Sequence, residues 1–264
     1  MTEAVATKRK IRVNPVVAAG SKFDRYKPEE EKDVRKAEVK ENPALVRLLR
    51  AYNQLLEMRM EDAPTGPPWD EGWAHRYAMA LLALHESGKL VYHPVDVQQF
   101  LLALVDLDFV PKGGFEKKDK LAVLGDTLGP FLSVLTNSGR HRGYRLHVDH
   151  LDACADEFDN PLIMVGGRNT KTLEIFGNVG TALGCKMKSG LIRLNGNAGM
   201  SLGLGMTGGA IIINGNVGLS LGAGMRGGEI HVNGDIADFG EGYDVAEQVS
   251  HGKIYCKWEL VVDK

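Results

Sequence analysis

Three consecutive segments of this 264-residue chain align without a gap. Leu173 to Gly190 reads LEIFGNVGTALGCKMKSG, Ile192 to Gly209 reads IRLNGNAGMSLGLGMTGG, and Ile211 to Gly228 reads IIINGNVGLSLGAGMRGG. Every match recurs at a spacing of 19. Gly177, Gly196 and Gly215 correspond, as do Gly180, Gly199 and Gly218, and then Gly184, Gly203 and Gly222. Met187, Met206 and Met225 follow, then Gly190, Gly209 and Gly228. A fourth copy begins at Ile230 and degrades, with Ala237 standing where a glycine is due. A fixed period of this length is the mark of stacked repeats, in which no unit buries a core alone and each is completed by its neighbours.

The physics of one repeat follows from its residues. Ile211 and Ile213 alternate with Ile212, as in a strand with one face inward. Asn214-Gly215 is a turn pair in which glycine is free to take positive φ. Val217 and Leu221 return to the core, and Met225 fills a corner. Gly218 and Gly222 sit where the neighbouring coil, about 4.8 Å away, leaves no room for a side chain. Gly227-Gly228 turns the chain into the next coil. Nineteen extended residues have a contour of roughly 60 Å, enough to close a loop around a filled interior. The pattern predicts a right-handed parallel β-helix of 19-residue coils from about Leu173 to about Gly240. A dinucleotide fingerprint is excluded, because Gly203-Leu204-Gly205 is followed by no helix and the pattern recurs. A hexapeptide acyltransferase helix is excluded because its period is a multiple of six.

The rest of the chain has a different character, and the fold class expected is α+β, with an N-terminal helical unit followed by the C-terminal β-helix. Residues 1–41 read as a polar arm. Residues 42–137 read as a small all-α unit. Asn42-Pro43 opens a helix with an apolar face of Leu45, Leu48, Leu49, Tyr52, Leu55 and Leu56, which Pro64, Gly66, Pro67 and Pro68 end. A second helix is expected from about Trp69 to Ser87, with Trp73, Tyr77, Leu81 and Leu84 as its stripe and Gly88 as its C-cap. A third is expected over about Pro94 to Leu107, ended by Pro111-Lys112-Gly113-Gly114, and a weaker one over Lys118 to Leu135. Residues 138–160 read as a polar connector and 161–264 as the β-helix domain. Pro161 to Val165 is expected to cover the first coil, and Ile254 to Val262, alternating like a single strand, the far end.

The coil pattern G-x-x-G-x-x-x-G-x-x-M-x-G-G resembles the GXGXG domain. That domain lies at the C-terminal end of the large chain of glutamate synthase, and in a subunit of formylmethanofuran dehydrogenase and of the related formyltransferase/hydrolase complex. Gly196, Gly199, Gly203, Met206, Gly208 and Gly209 carry the match, with Gly215, Gly218, Gly222, Met225, Gly227 and Gly228 and the Asn-Gly-Asn triplets at Asn195 and Asn214. The resemblance implies a scaffold that holds catalytic domains or subunits and has no catalytic residues of its own. The coil number and the helical N-terminal region depart from that family.

Chemistry-bearing residues are sparse. His147, Asp149 and His150, followed by Asp152, Cys154, Asp156, Glu157 and Asp159, form the best local cluster for a metal. His147 and Asp149 would share a strand face, but the order lacks a distant partner pair, and a solvated connector is the simpler account. His75 and His85 are ten positions apart on one helix, roughly 15 Å along its axis, too far to share a ligand. Cys154, Cys185 and Cys256 form no CxxC pair, which excludes a disulfide framework or zinc knuckle, and Cys185 aligns with Leu204 and Ala223 as a packing residue. A formal net charge of −2 gives no reason to expect nucleic acid, and no apolar run is long enough for a membrane helix. No secretory signal is expected in Met1 to Pro15. These readings lead to a cytoplasmic, non-catalytic structural or assembly subunit of a multi-subunit oxidoreductase or formyl-transfer complex. It needs no cofactor or metal of its own, and its partners are larger catalytic subunits rather than nucleic acid or membrane. The alternatives are a free-standing protein-binding module and an enzyme working near His147 and Asp149. Tyr255 and Trp258, with the polar arm, are the expected docking surface.

Overall fold

The computed structural model describes residues 42–57, 71–86, 88, 90–106, 117–152, 162–237 and 249–264. The polar arm, the Pro64–Pro68 and Pro111–Gly114 breakers, Trp69, Ser87, Leu107, Cys154, Asp156, Glu157, Asp159, Pro161 and the end of the fourth repeat lie outside the described residues. The described chain is α+β, with a seven-stranded, mostly parallel sheet, helices that precede it and a four-residue helix after its first strand.

The helices α1 (Pro43–Glu57), α2 (Glu71–Glu86), α3 (Pro94–Asp106) and α4 (Lys117–Ser138) fall where sequence periodicity puts them, but Leu81, expected on the apolar stripe of α2, is 46 % exposed. Asn42 caps α1: its Oδ1 accepts from the backbone N–H of Ala44 (3.0 Å) and Leu45 (3.2 Å). Its Nδ2 donates to Asp96 and Gln99, both at 2.8 Å, so one side chain starts α1 and ties it to α3. Gly88, at φ +86°, donates to the His85 carbonyl at the end of α2. The fourth helix is longer than propensity suggests and runs through Pro130 without a break. Burial of Leu128, Phe131, Leu132, Val134 and Leu135 outweighs the missing backbone donor. Rings of Tyr52, Phe100 and Phe131 meet at centroid distances of 5.2–5.5 Å, joining α1, α3 and α4.

The strands are β1 (Gly143–His147), β2 (Thr172–Phe176), β3 (Leu191–Asn195), β4 (Ala210–Ile213), β5 (Arg226–Val232), β6 (His251–Cys256) and β7 (Glu259–Asp263), hydrogen-bonded in chain order. All neighbours are parallel except β6 and β7. Leu173 pairs with Ile192, Ile192 with Ile211 and Ile211 with Ile230, so each repeat lies against its own equivalent in the next. Single bridges join Val179, Ala198, Val217 and Ile236 in the same way. The paired inward positions are buried in columns: Ile192 with Ile211, Leu194 with Ile213, Leu202 with Leu221, and Met187 with Met206 and Met225. Each such aliphatic side chain contributes roughly 1.5–3 kcal/mol by burial.

The glycines act differently from the simplest reading of a turn. Positive φ occurs at Gly177 but not at Gly196 or Gly215. What excludes a side chain at the latter two is contact: a Cβ on Gly196 would lie 2.1 Å from the Gly177 carbonyl oxygen, and one on Gly215 2.3 Å from that of Gly196. Gly199 and Gly218 also meet the backbone of the preceding repeat, as expected. Gly184, Gly203 and Gly222 do not; they have φ near +67°, and a Cβ would enter the interior against Ile211, Ile230 and Ile254 side chains respectively.

Both ends of the sheet depart from the sequence expectation. Gly143–His147, expected in a connector, is the first strand, and residues 162–171 complete its repeat. Met164, Gly166 and Arg168 take positive φ as do Ala182, Gly184 and Lys186, and Met164 donates to the Thr181 carbonyl, Arg168 to that of Cys185. The corner methionine is replaced by fully buried Asn169, which bonds Lys171 through both its Nδ2 and Oδ1. At the other end the expected single strand is a hairpin. Lys257 (φ +48°) and Trp258 (φ +71°) turn the chain, and β7 closes antiparallel on β6 with an irregularity near Val261.

Gly215→Ala and Gly224→Ala should therefore separate sharply. At Gly224 a Cβ meets nothing nearer than 3.9 Å, so only its φ of +65° is penalised, by about 1–2 kcal/mol. Gly215→Ala forces two repeats apart and should cost several times that or abolish soluble expression. Denaturant unfolding of both variants checks this, and equal midpoints would contradict the register.

Candidate functional site

The side chains nominated for metal chemistry do not converge. His147 is exposed at the end of β1, its ring stacked on Phe176 at 4.6 Å and 8°. Asp149 is exposed and starts the four-residue helix α5 (Asp149–Asp152), so it shares no strand face with His147. The ring of His150 lies 3.2 Å from the Leu101 carbonyl, on the α3 side. Among the described residues no group of three His, Cys, Asp or Glu is placed to hold a metal ion. Cys185 is buried, and burial pushes its thiol from an ordinary 9.0 up to about 12, against smaller opposing effects of Lys186 and Arg168. That disfavours the thiolate a nucleophile or ligand requires.

What the repeat residues build is a pair of side-chain ladders. Asn214 Nδ2 donates to Asn195 Oδ1 at 2.8 Å, and Asn233 Nδ2 to Asn214 Oδ1 at 2.7 Å. Two residues on, Asn197, Asn216 and Asp235 donate their backbone N–H to the Oδ1 of Asn178, Asn197 and Asn216 at 2.8, 2.8 and 2.9 Å, each bond spanning 19 residues. Between the ladders run Gly177, Gly196, Gly215 and Gly234, at the closest backbone approach. The second ladder ends where Asn gives way to Asp235, whose carboxylate receives Lys257 Nζ at 2.5 Å. The Asn-Gly-Asn triplet was visible in sequence; that Lys257 would close its far end was not.

The two ends of the sheet are finished by different devices. On β1, Gln98 of α3 clamps the open backbone of His147, accepting from its N–H at 2.7 Å and donating to its carbonyl at 3.2 Å. Ser133 of α4 lies 2.9 Å from the Met164 carbonyl and accepts from Gly167 N–H at 3.1 Å. A Cβ on Gly129 would lie 1.6 Å from the Ile163 carbonyl oxygen, so α4 crosses this segment at backbone contact. The helical unit is thus the near cap, a role no local sequence signal announces. The far end carries the β6–β7 hairpin, with Trp258 83 % exposed and Leu260 and Val261 open to solvent beside it. His231 stacks on Tyr255 at 4.4 Å and 3° on the outer face nearby.

Comparison with known proteins returned nothing: no family model, no curated protein and no solved structure matches the chain.

Gln98→Ala leaves two strand-edge backbone groups of His147 without their partner and should destabilise the chain by about 1–2 kcal/mol. Chemical denaturation measures it, and a change of a few tenths would show that the clamp is dispensable. In a Cys154→Ser chain at about pH 8, a thiol reagent should label Cys256 and spare Cys185 until the fold is opened. The raised thiol also has a sign. Above pH 9 the unfolded chain loses this proton while the folded chain keeps it up to about 12, so the stability it contributes falls as pH rises through that window. A Cys185→Ala variant should flatten that part of the curve.

Proposed function

We propose that the chain is a non-catalytic structural or assembly subunit of a cytoplasmic multi-subunit oxidoreductase or formyl-transfer complex. Its scaffold is a right-handed parallel β-helix of 19-residue coils of the GXGXG kind. The observation that carries this reading is the use made of the repeated residues. The glycines serve backbone contact or interior space, the methionines and aliphatics serve the core, and the asparagines bond to one another. A chain whose repeated side chains are committed to stacking has rigidity to offer, and a rigid platform with both ends finished suits assembly better than turnover. The exposed hairpin tip, Trp258 with Leu260 and Val261, supports contact with a larger subunit, since large aromatics at an exposed tip are typical anchors.

A free-standing protein-binding module is the second reading, and the same hairpin favours it. The two part on stoichiometry. Tagged chain expressed at its natural level should co-purify, in fixed ratio, with a larger subunit that carries flavin, molybdopterin, iron–sulfur or amidohydrolase-type chemistry. Its deletion should lower the amount of assembled complex while leaving turnover per assembled complex within about twofold. Recovery as a monodisperse single chain without such a subunit would favour the binding module.

A further inference from the structure

We propose that the basic ridge formed where the first two repeats meet the helical unit is a docking surface for an acidic, apolar-flanked polypeptide segment of the partner subunit. The identity of the partner rests on the scaffold reading; the surface itself rests on charge and position. The chain as a whole is slightly acidic, at a formal −2, yet this part of it is strongly basic. From Leu162 to Gly228 there is one carboxylate, Glu174, and it is paired with Arg145 at 2.9 Å on the outer sheet face. Over the same stretch and the loop that leads into β1, Arg140, Arg142, Arg168, Lys171, Lys186 and Lys188 are set near one another by the parallel register.

The backbone contacts fix their adjacency. Thr172 donates to the Arg142 carbonyl, which sets Arg142 beside Lys171. Lys188 donates to Asn169, and Arg168 to Cys185, which sets Arg168, Lys186 and Lys188 on two consecutive turns. Lys171 Nζ reaches the Gly139 carbonyl at the end of α4, bridging the corner to the Arg140–Arg142 loop. Repeats in this register are spaced by about 4.8 Å, so the six cations fall within roughly two turns of the stack. Arg140, Arg142, Arg168 and Lys188 are exposed. Within residues 140–147 and 162–228 Glu174 is the one carboxylate, so the cations' fields add there, and a ridge of one sign attracts and orients an oppositely charged partner.

The neighbouring turns decide the class of partner. Beyond Lys186 the cation column continues as Gly205 and Gly224, and at the start of those same two turns Met200 and Leu219, equivalent to Thr181, are 43 % and 41 % exposed. A surface that passes from cations to exposed Met and Leu within two repeats matches a segment with carboxylates followed by apolar side chains. Nucleic acid fits less well. The chain's net charge is negative, and the Tyr77 ring lies beneath the Arg168 guanidinium at 5.5 Å rather than offering a stacking platform for bases.

The test uses the full-length chain and a fluorescent peptide of about ten residues, glutamates followed by leucines. Wild type should bind it, with affinity falling at least about tenfold between roughly 50 and 300 mM salt. The triple variant Arg140→Glu, Arg142→Glu, Lys188→Glu should bind at least about tenfold more weakly at low salt, and the neutral triple Arg140→Gln, Arg142→Gln, Lys188→Gln should fall between. All three positions are exposed, so unchanged thermal melts are expected of both variants. Lys253→Glu at the far end is the control and should bind as wild type. Equal peptide affinity for the reversed triple and wild type would overturn the proposal, as would tighter binding of a duplex DNA than of the peptide. In cells, loss of the co-purifying subunit from the reversed triple supports the ridge. Retention of that subunit in wild-type yield refutes the ridge while leaving the scaffold reading intact. If wild type recovers no subunit, the scaffold reading fails and the peptide measurements alone decide the ridge.

Discussion

Gly196 approaches the Gly177 carbonyl so closely that a methyl group on its Cα would lie 2.1 Å from that oxygen, and Gly215 repeats the relation to Gly196. The rest of the sheet depends on this contact. Parallel strands can stack in a 19-residue register only if the turns between them also stack, and a turn carrying side chains on both sides would hold its neighbours apart. Removing the side chain lets the two asparagine columns on either side reach across the gap at 2.7–2.9 Å. Each repeat then satisfies polar groups of the next, and the aliphatic columns are brought into contact behind them. Glycine's conformational freedom is a separate requirement, met elsewhere, at Gly184, Gly203 and Gly222.

A stack held together by contacts between equivalent residues has a difficulty only at its ends, where the equivalent is missing. The two ends are finished by different chemistry because different neighbours are available. At the first strand the sheet meets helices, so the open backbone of His147 is met by a side chain, Gln98, carrying one donor and one acceptor at strand-like spacing. At the last parallel strand the chain turns back on itself, and β7 supplies backbone partners in antiparallel sense. The irregularity near Val261 and the charged Glu259, Asp263 and Lys264 blunt what would otherwise be a free edge.

What could be read from sequence was whatever recurs. The period, the inward positions Ile192, Leu194, Ile211 and Ile213, and the packing role of Cys185 needed only comparison of one segment with the next. The helices were legible through their own periodicity and through Asn42 and Gly88 at their ends. The first repeat was not, because a helix and further residues interrupt it between His147 and Leu162, and because Asn169 stands where the later repeats have methionine. The hairpin was missed for a related reason: Lys257 and Trp258 both adopt a backbone conformation that glycine or asparagine usually signals. The separation of His147, Asp149 and His150 depends on where β1 stops and α5 begins, a boundary set by tertiary contacts with α3 rather than by local propensity.

The repeat also separates structure from specialisation within a single chain. Positions that keep their residue type across copies are those whose neighbours are themselves copies: glycine against glycine, asparagine against asparagine, methionine against the next turn. Outward positions escape that constraint, and there the copies differ. Glu174, Arg193, Ile212 and His231 occupy one outer column, and Arg168, Lys186, Gly205 and Gly224 follow one another on successive turns as another. Contact between repeats cannot account for a change from cation to glycine along such a column, because the backbone conformation is the same left-handed one throughout. A glycine would have stacked equally well at Arg168 and Lys186 and relieved strain at both. The cations there carry a backbone cost of about 1–2 kcal/mol each. Arg168 offsets part of it against the ring of Tyr77, on the side of the helical unit. At Arg168 the backbone cost is thus exchanged for a contact with the helical unit that a glycine in the same conformation could not make.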